Sequence, residues 1–262
     1  MKIIACIKQV PDSEAKVKAE GGAVSWGDAP LVINPFDEYA VEGALQQREA
    51  VSGSTVTALC IGPESAREAL KHALAMGADE AVLVSDAALN ELDTVGAARV
   101  LAAAIQKLGA DMVVFGRQTL DTGSGLTAAQ TARVLGWPML GLVGQIKIEE
   151  RSTSSPQGIH VERVIEEGRQ SVKANLPAVL SVVQSIGEPR YPSFMGIRKA
   201  GKATIPVWSL SDLGMSAPAA VIKRSELLNP PAREMTIDII TGDSPEAIAE
   251  TLVEKILAEK VL

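Results

Sequence analysis

The sequence predicts an α/β protein built on a doubly wound, mostly parallel sheet, with an antiparallel extension and a C-terminal arm. Three features lead to it. Over residues 1–135, short β-branched runs alternate with helical stretches, the pattern of repeated strand–helix–strand units. After Trp137-Pro138 the strand-like segments follow one another with only turns between them. From Ile186 onward Pro, Gly and Lys crowd together, and no second apolar core is visible.

Taken in order, strands are expected at residues 2–10, 55–61, 81–84 and 112–115, and helices at 37–50, 65–76, 94–108 and 126–135. Ser65 follows Gly62-Pro63 and precedes Glu68 at capping-box spacing, and Asp93 opens a run rich in Ala and Leu. Residues 145–150 and 159–166 flank a turn-rich 152–158, and 170–174 follows a turn at Glu167-Gly168. Residues 176–183 read as one more strand, apolar enough to be central. This gives an α/β body at 1–185 and a Pro/Gly-rich segment with an arm at 186–262. The arm carries Trp208, Leu210 and Leu213 and a helix at 245–258 capped by Ser244, whose apolar residues need either the chain's own core or a neighbouring subunit.

Composition narrows the function. A 262-residue chain with 47% hydrophobic residues buries a substantial core, while a net charge of -7 with scattered Lys and Arg offers no stripe for nucleic acid or an anionic membrane. No apolar run reaches the roughly 20 residues that span a bilayer. Cys6 and Cys60 sit in separate strand-like runs, so a reducing compartment without disulfides is expected, and with no leader-like start the bacterial or archaeal cytoplasm fits. His72 and His160 stand alone in sequence and receive no catalytic role.

Chemistry concentrates at residues 111–132, where an apolar strand ends in Gly116 and a Gly/Ser/Thr turn opens a helix. Unpaired amides at a helix start beyond a parallel strand hold phosphates in doubly wound sheets. Gly123 and Gly125 allow close backbone approach, and Ser124 and Thr127 offer hydroxyls. The run is neither GxGxxG nor a Walker loop, so a phosphate cradle and a plain strand–helix turn both remain open. Taken alone, Asn34 and Asp37 read as an Asx turn and a helix cap and nothing more, and Lys8 as a strand-end lysine of the kind that usually just reaches solvent.

Six segments go further: IIACIKQVPD (3–12), NPFDEYAVEGALQ (34–46), ALAMGAD (73–79), FGRQTLDTG (115–123), VERVIEEGRQSVKANLPAVLSV (161–182) and EPRYPSF (188–194). In this order and spacing they resemble the electron transfer flavoprotein β-subunit family, with Arg163, Glu166, Glu167, Gly168, Gln170, Val172, Pro177 and Ala178 matching its signature. The resemblance implies a Rossmann-like fold and an electron carrier rather than an enzyme with its own acid or base. It implies a heterodimer in which a larger α subunit supplies most of an FAD site and is embraced by the β chain's arm. It places AMP against Cys6, Lys8, Asn34, Ile61 and Gly62, with Thr119, Asp121, Thr122, Gly123, Ser124, Gly125, Leu126 and Thr127 around its phosphate, and it brings Phe36 near the flavin. A loop at 192–199, with Phe194 as anchor beside Met195 and Ile197, would dock transiently onto a flavin dehydrogenase, so that electrons from acyl-CoA-type dehydrogenases of fatty acid oxidation reach a quinone reductase or another acceptor. Members that bifurcate electrons hold a second FAD in place of AMP and typically read DGDTAQ where this chain has DTGSGL at 121–126, whereas its opening CIKQVPD and Trp208-bearing tail resemble that branch. Rival readings are a free-standing universal-stress-type nucleotide module and a nucleotide-dependent ligase.

Overall fold

The computed structural model describes residues 1–90, 92–149, 157–222, 225–232 and 237–260. The chain opens with β1 (Lys2–Ile7), the short β2 (Gln9–Pro11), a hairpin of β3 (Lys18–Glu20) and β4 (Ala23–Ser25), and β5 (Leu31–Ile33). There follow α1 (Pro35–Ala50), β6 (Thr55–Ile61), α2 (Arg67–Met76), β7 (Glu80–Val84), α3 (Thr94–Leu108), β8 (Met112–Gly116) and α4 (Thr127–Leu135). The second half contributes β9 (Met139–Ile148), β10 (Gly158–Ile165), β11 (Gly168–Asn175), β12 (Ala178–Val182), α5 (Phe194–Ala200), β13 (Val207–Trp208) and α6 (Pro245–Ala258).

Nine strands form one sheet in the order β11-β10-β9-β12-β8-β1-β6-β7-β13. From β9 to β13 every pairing is parallel, and β10 and β11 extend the sheet antiparallel. This is the predicted mostly parallel, doubly wound architecture. Parallel strands covered on both faces need apolar residues throughout, and β1, β8 and β12 are buried almost end to end. Side chains alternate along β1: Ile3, Ala5 and Ile7 join the core shared with α1 and α2, and Ile4 and Cys6 the core shared with α3 and α4. The chain runs outward from β1 through β6 to β7, then crosses to β8 on the other side of β1. The switch point of the sheet therefore lies between the carboxyl ends of β1 and β8.

Several boundaries differ from those predicted, each for a physical reason. The first strand stops at Ile7, because the Lys8 amide donates to Asp37 Oδ2 at 2.8 Å and the Lys8 carbonyl accepts from the Asn34 amide at 2.8 Å. Residues 9–11 then pair with β5, off the main sheet. Ser65 does not cap α2. A 3₁₀ turn at Glu64–Ala66 precedes the helix, and the Ser65 hydroxyl meets Gln9 Oε1 at 3.0 Å instead. β9 begins at Met139, earlier than predicted, and the expected strand end at residue 150 and turn residues 152–156 lie outside the described residues.

Two compact units result, Met1–Leu227 and Leu228–Leu262. Residues 186–222 pack within the first: β13 adds to β7, Leu210 is buried, and Lys107 lies 4.4 Å above the Trp208 ring. In the second unit Ser244 caps α6 through the Ala247 amide at 3.2 Å, as predicted, and Leu252, Val253 and Leu257 stand exposed.

Candidate functional site

A crevice of about 1470 Å³ opens at the switch point. That is where doubly wound sheets bind ligands, because the diverging crossovers leave a cleft beyond the strand ends. Cys6 and Ile7 at the end of β1 with Lys8 just beyond it, Ile61 at the end of β6 with Gly62 just beyond it, and Phe115-Gly116 at the end of β8 form its floor. Gly116 is required here: a Cβ on it would sit 2.5 Å from Asp37 Oδ1 and the Phe36 carbonyl oxygen, so the end of β8 and the start of α1 are in direct contact.

One wall is the loop from Arg117 into α4. Thr119, Thr122, Ser124, Gly125, Thr127 and Ala128 line it, and Gly123 and Gly125 adopt positive φ of 61° and 62°, conformations that glycine accepts without strain. Among the described residues no side chain caps α4. Its first amides, which have no intrahelical acceptors, meet the crevice at Thr127 and Ala128 with the positive end of the helix dipole behind them.

Asn34 fixes this loop. It is fully buried and makes no cap bond to α1; its Nδ2 donates to the Gln118 carbonyl at 2.9 Å and its Oδ1 accepts from the Leu120 amide at 3.1 Å. Lys8 does not simply reach solvent, since its ammonium lies 2.6 Å from Asp121 Oδ2. Burial would raise the Asp121 pKa, but the hydrogen bond and charge of Lys8 outweigh it and hold the carboxyl below its usual range. The positive end of Lys8 is thus shared between the loop and the crevice.

Behind the floor lies a buried carboxyl that sequence reasoning read only as a cap. Burial pushes the Asp37 pKa up to about 7, against hydrogen bonds from the Asn34 side chain and from the Lys8 and Gly116 amides and against the charge of Lys8. The same burial pushes the Cys60 thiol up to about 12 and raises the Cys6 thiol as well, so neither is a thiolate nucleophile near neutral pH.

The opposite wall comes from Leu89, Thr94, Ala97 and Leu101 around α3. Here Asp93 takes the helix start for itself: Oδ1 accepts from the Gly96 amide at 2.7 Å, and Oδ2 accepts from the Val221 and Ile222 amides at 2.6 and 2.8 Å. An anion already occupies the α3 terminus, so of these two helix starts only that of α4 is left to receive a phosphate. Asp93 also hangs residues 220–222 beside the crevice, which Ala220 and Ile222 line.

Of the predicted site residues, Cys6, Lys8, Ile61, Gly62, Thr119, Thr122, Ser124, Gly125 and Thr127 meet at the crevice. Asn34 and Asp121 stand behind them as supports, Gly123 shapes the turn, Leu126 is half exposed, and Phe36 lies in the first turn of α1 outside the lining. Phe194, Met195 and Ile197 lie outside its lining, 80%, 68% and 56% exposed, and they sit on a short helix rather than a loop. The fold brings carboxylates to both histidines, Glu38 at 2.8 Å from His72 and Glu149 at 3.1 Å from His160, yet neither histidine lines the crevice. Asp37, Asp93 and Gly116 were missed as site residues. The available signal was NPFD itself, whose Asp falls two residues inside the helix, where a cap would not be.

Residues 27–213 match the family described as the electron transfer flavoprotein domain. The chain is similar to the caffeyl-CoA reductase–Etf complex subunit CarD of Acetobacterium woodii, with 34% identity over the whole of both chains. It is similar at 32% identity to the electron transfer flavoprotein subunits beta of Megasphaera elsdenii, over the whole of both chains, and of Bacillus subtilis, over 95% of each. The chain belongs to the electron transfer flavoprotein family, as a subunit of the beta type.

Proposed function

We propose that the chain is the β half of a two-subunit electron carrier, holding an adenine nucleotide in the crevice while a larger α chain supplies most of a redox-active FAD site. The observation that carries this reading is the uncapped start of α4, set behind Gly123 and Gly125 with the Lys8 ammonium close by. The residues suit such a ligand at both ends: hydroxyls of Thr119, Thr122, Ser124 and Thr127 and free amides toward a phosphate, and the apolar Ile61, Leu89 and Leu101 toward a base. Bound FAD would supply the redox chemistry itself. This chain's part is to hold the nucleotide, shield the crevice from water and present a docking surface, and none of that asks for a general base or a nucleophile.

In this reading Phe194, Met195 and Ile197 dock onto a flavin dehydrogenase of the acyl-CoA type, and the exposed apolar face of the second unit covers part of the α subunit. Electrons pass on to a quinone reductase or another acceptor, within the cytoplasm. The DTGSGL loop favours AMP in the crevice. A second reading, FAD in its place with electron bifurcation, is favoured by the crevice volume, which exceeds the roughly 300–1,000 Å³ of common ligand pockets, and by the likeness to a subunit of a caffeyl-CoA reductase–Etf complex. Among the described residues no helix is long and apolar enough to cross a membrane.

Mass spectrometry of nucleotides released from the co-purified complex tests both. One FAD with one AMP supports the first reading and two FAD the second. A complex with no nucleotide assignable to this chain overturns the crevice assignment, and a stable lone subunit that binds ATP and ignores FAD restores the stand-alone module.

A further inference from the structure

We infer that α5 is held in fixed register by a two-point seat, Gly196 against the Ala75 carbonyl of α2 and the Arg190 fork on Glu42 and Glu49 of α1, making Gly196 and Arg190 positioning residues for Phe194. The inference rests on the docking role given to Phe194 above.

Its own length and side chains do not hold this helix. Seven residues are too few to be stable alone, and the apolar side chains that usually seat a helix point outward: Phe194 is 80% exposed, and Ala200 is the buried residue of the helix. The Ser193 hydroxyl, accepting from the Gly196 amide at 2.9 Å, defines where the helix starts but not where it lies.

Two contacts set its place. At Gly196 the helix backbone comes so close to the end of α2 that any Cβ would overlap the Ala75 carbonyl oxygen and stand 3.1 Å from its carbon. Those are backbone atoms near the end of a packed helix and have nowhere to move. Four residues before the helix, Arg190 donates from Nε to Glu42 Oε2 at 2.8 Å, from Nη2 to Glu42 Oε1 at 3.0 Å and from Nη1 to Glu49 Oε1 at 2.6 Å. The Glu42 side chain is only 7% exposed, so the fork satisfies a buried carboxylate that would otherwise have little compensation. Gln46 reinforces the joint, donating from Nε2 to Glu42 Oε1 and to the Ile186 carbonyl, both at 3.2 Å. An aromatic anchor presented on a seated helix is ordered before it meets its partner, so less conformational freedom is lost on docking.

The test uses the full complex and an acyl-CoA dehydrogenase that reduces the wild-type protein. Gly196→Ala raises the KM for the dehydrogenase about tenfold, the scale of a misplaced hot-spot residue, with flavin content and flavin potential unchanged and faster amide exchange at residues 194–200. The double variant Gly196→Ala/Phe194→Ala is no slower than Phe194→Ala alone, because a positioning residue acts through the group it positions. Arg190→Lys, which keeps the charge but cannot span two carboxylates as a fork, gives the same pattern and serves if Gly196→Ala fails to fold. Normal KM in both single variants while Phe194→Ala slows reduction overturns the seat and leaves docking intact. Additive losses in the double variant overturn it too. Normal kinetics in Phe194→Ala removes the docking role itself.

Discussion

Asp37 makes the protein lose stability as pH rises through a range in which most carboxyl groups are silent. Its folded pKa of about 7 lies above the ordinary 3.8 because burial disfavours the charged form. A carboxyl raised on folding is protonated in the native state and ionised in the unfolded chain between those values, so its favourable contribution is full at low pH and is lost as pH rises toward 7. Between pH 5 and 8 the change amounts to about 2–3 kcal/mol, or roughly 5–10 °C in Tm for a domain of this size. The carboxyls held below their usual range, Glu42 and Asp121 among them, have ordinary values below 5, so in this window they add little to the slope, and with the opposite sign. Asp37→Asn keeps the shape and removes the titration, so the assay is thermal or denaturant unfolding of both proteins from pH 5 to 8. The wild-type curve should fall toward the variant's, or below it, as pH rises, and nearly parallel curves would refute the assignment of the buried proton to Asp37.

Other perturbations separate the crevice from its supports. Asn34→Ala removes both hydrogen bonds that tie the 117–120 loop, to the Gln118 carbonyl and from the Leu120 amide, costing about 1–3 kcal/mol; nucleotide retention through gel filtration should fall with it, and full retention would show that the loop holds itself. Asp93→Ala frees the start of α3 and the Val221 and Ile222 amides together, so amide exchange at residues 95–97 and 220–222 should accelerate in parallel, whereas acceleration at only one segment would break the proposed link. Raising ionic strength weakens the half-exposed Lys8–Asp121 pair and any phosphate held by Lys8, so nucleotide affinity should drop with salt. Salt-independent affinity would leave the amides of α4 as the main phosphate ligands.

The sheet was legible because its parallel strands are apolar on both faces, a pattern that polar edge strands cannot imitate. Thus 55–61 was read as it stands in the fold, and 112–115 to within one residue. β13 was not legible: two residues between Pro206 and Ser209 carry no periodicity, and only β7 beside them makes Val207 and Trp208 a strand. The β3–β4 hairpin turns on Gly21-Gly22, both at positive φ, but its flanks lack the apolar alternation that announces a strand. At the site, the loop from Gly116 to Thr127 was visible through its glycines. Asp37 was not, because burial of one carboxyl behind a strand end depends on where β8 comes to rest, and no local pattern encodes that.

The same helix, α1, runs behind the crevice at one end and meets the proposed docking segment at the other. Its first turn supplies Asp37 beneath the crevice floor, and its later turns supply Glu42 and Glu49 to Arg190. This shared element does not by itself couple the two sites, since coupling requires two discrete arrangements that each site biases differently. Asp37 and Glu42 are both buried and bonded to separate elements, and neither depends on the other's partner. The two functions should therefore separate cleanly: Asn34→Ala should lower nucleotide retention with docking kinetics normal once nucleotide is restored, and Gly196→Ala should do the reverse. A loss of docking in nucleotide-saturated Asn34→Ala would mean that α1 transmits the state of the crevice, and the independence argued from these contacts would be wrong.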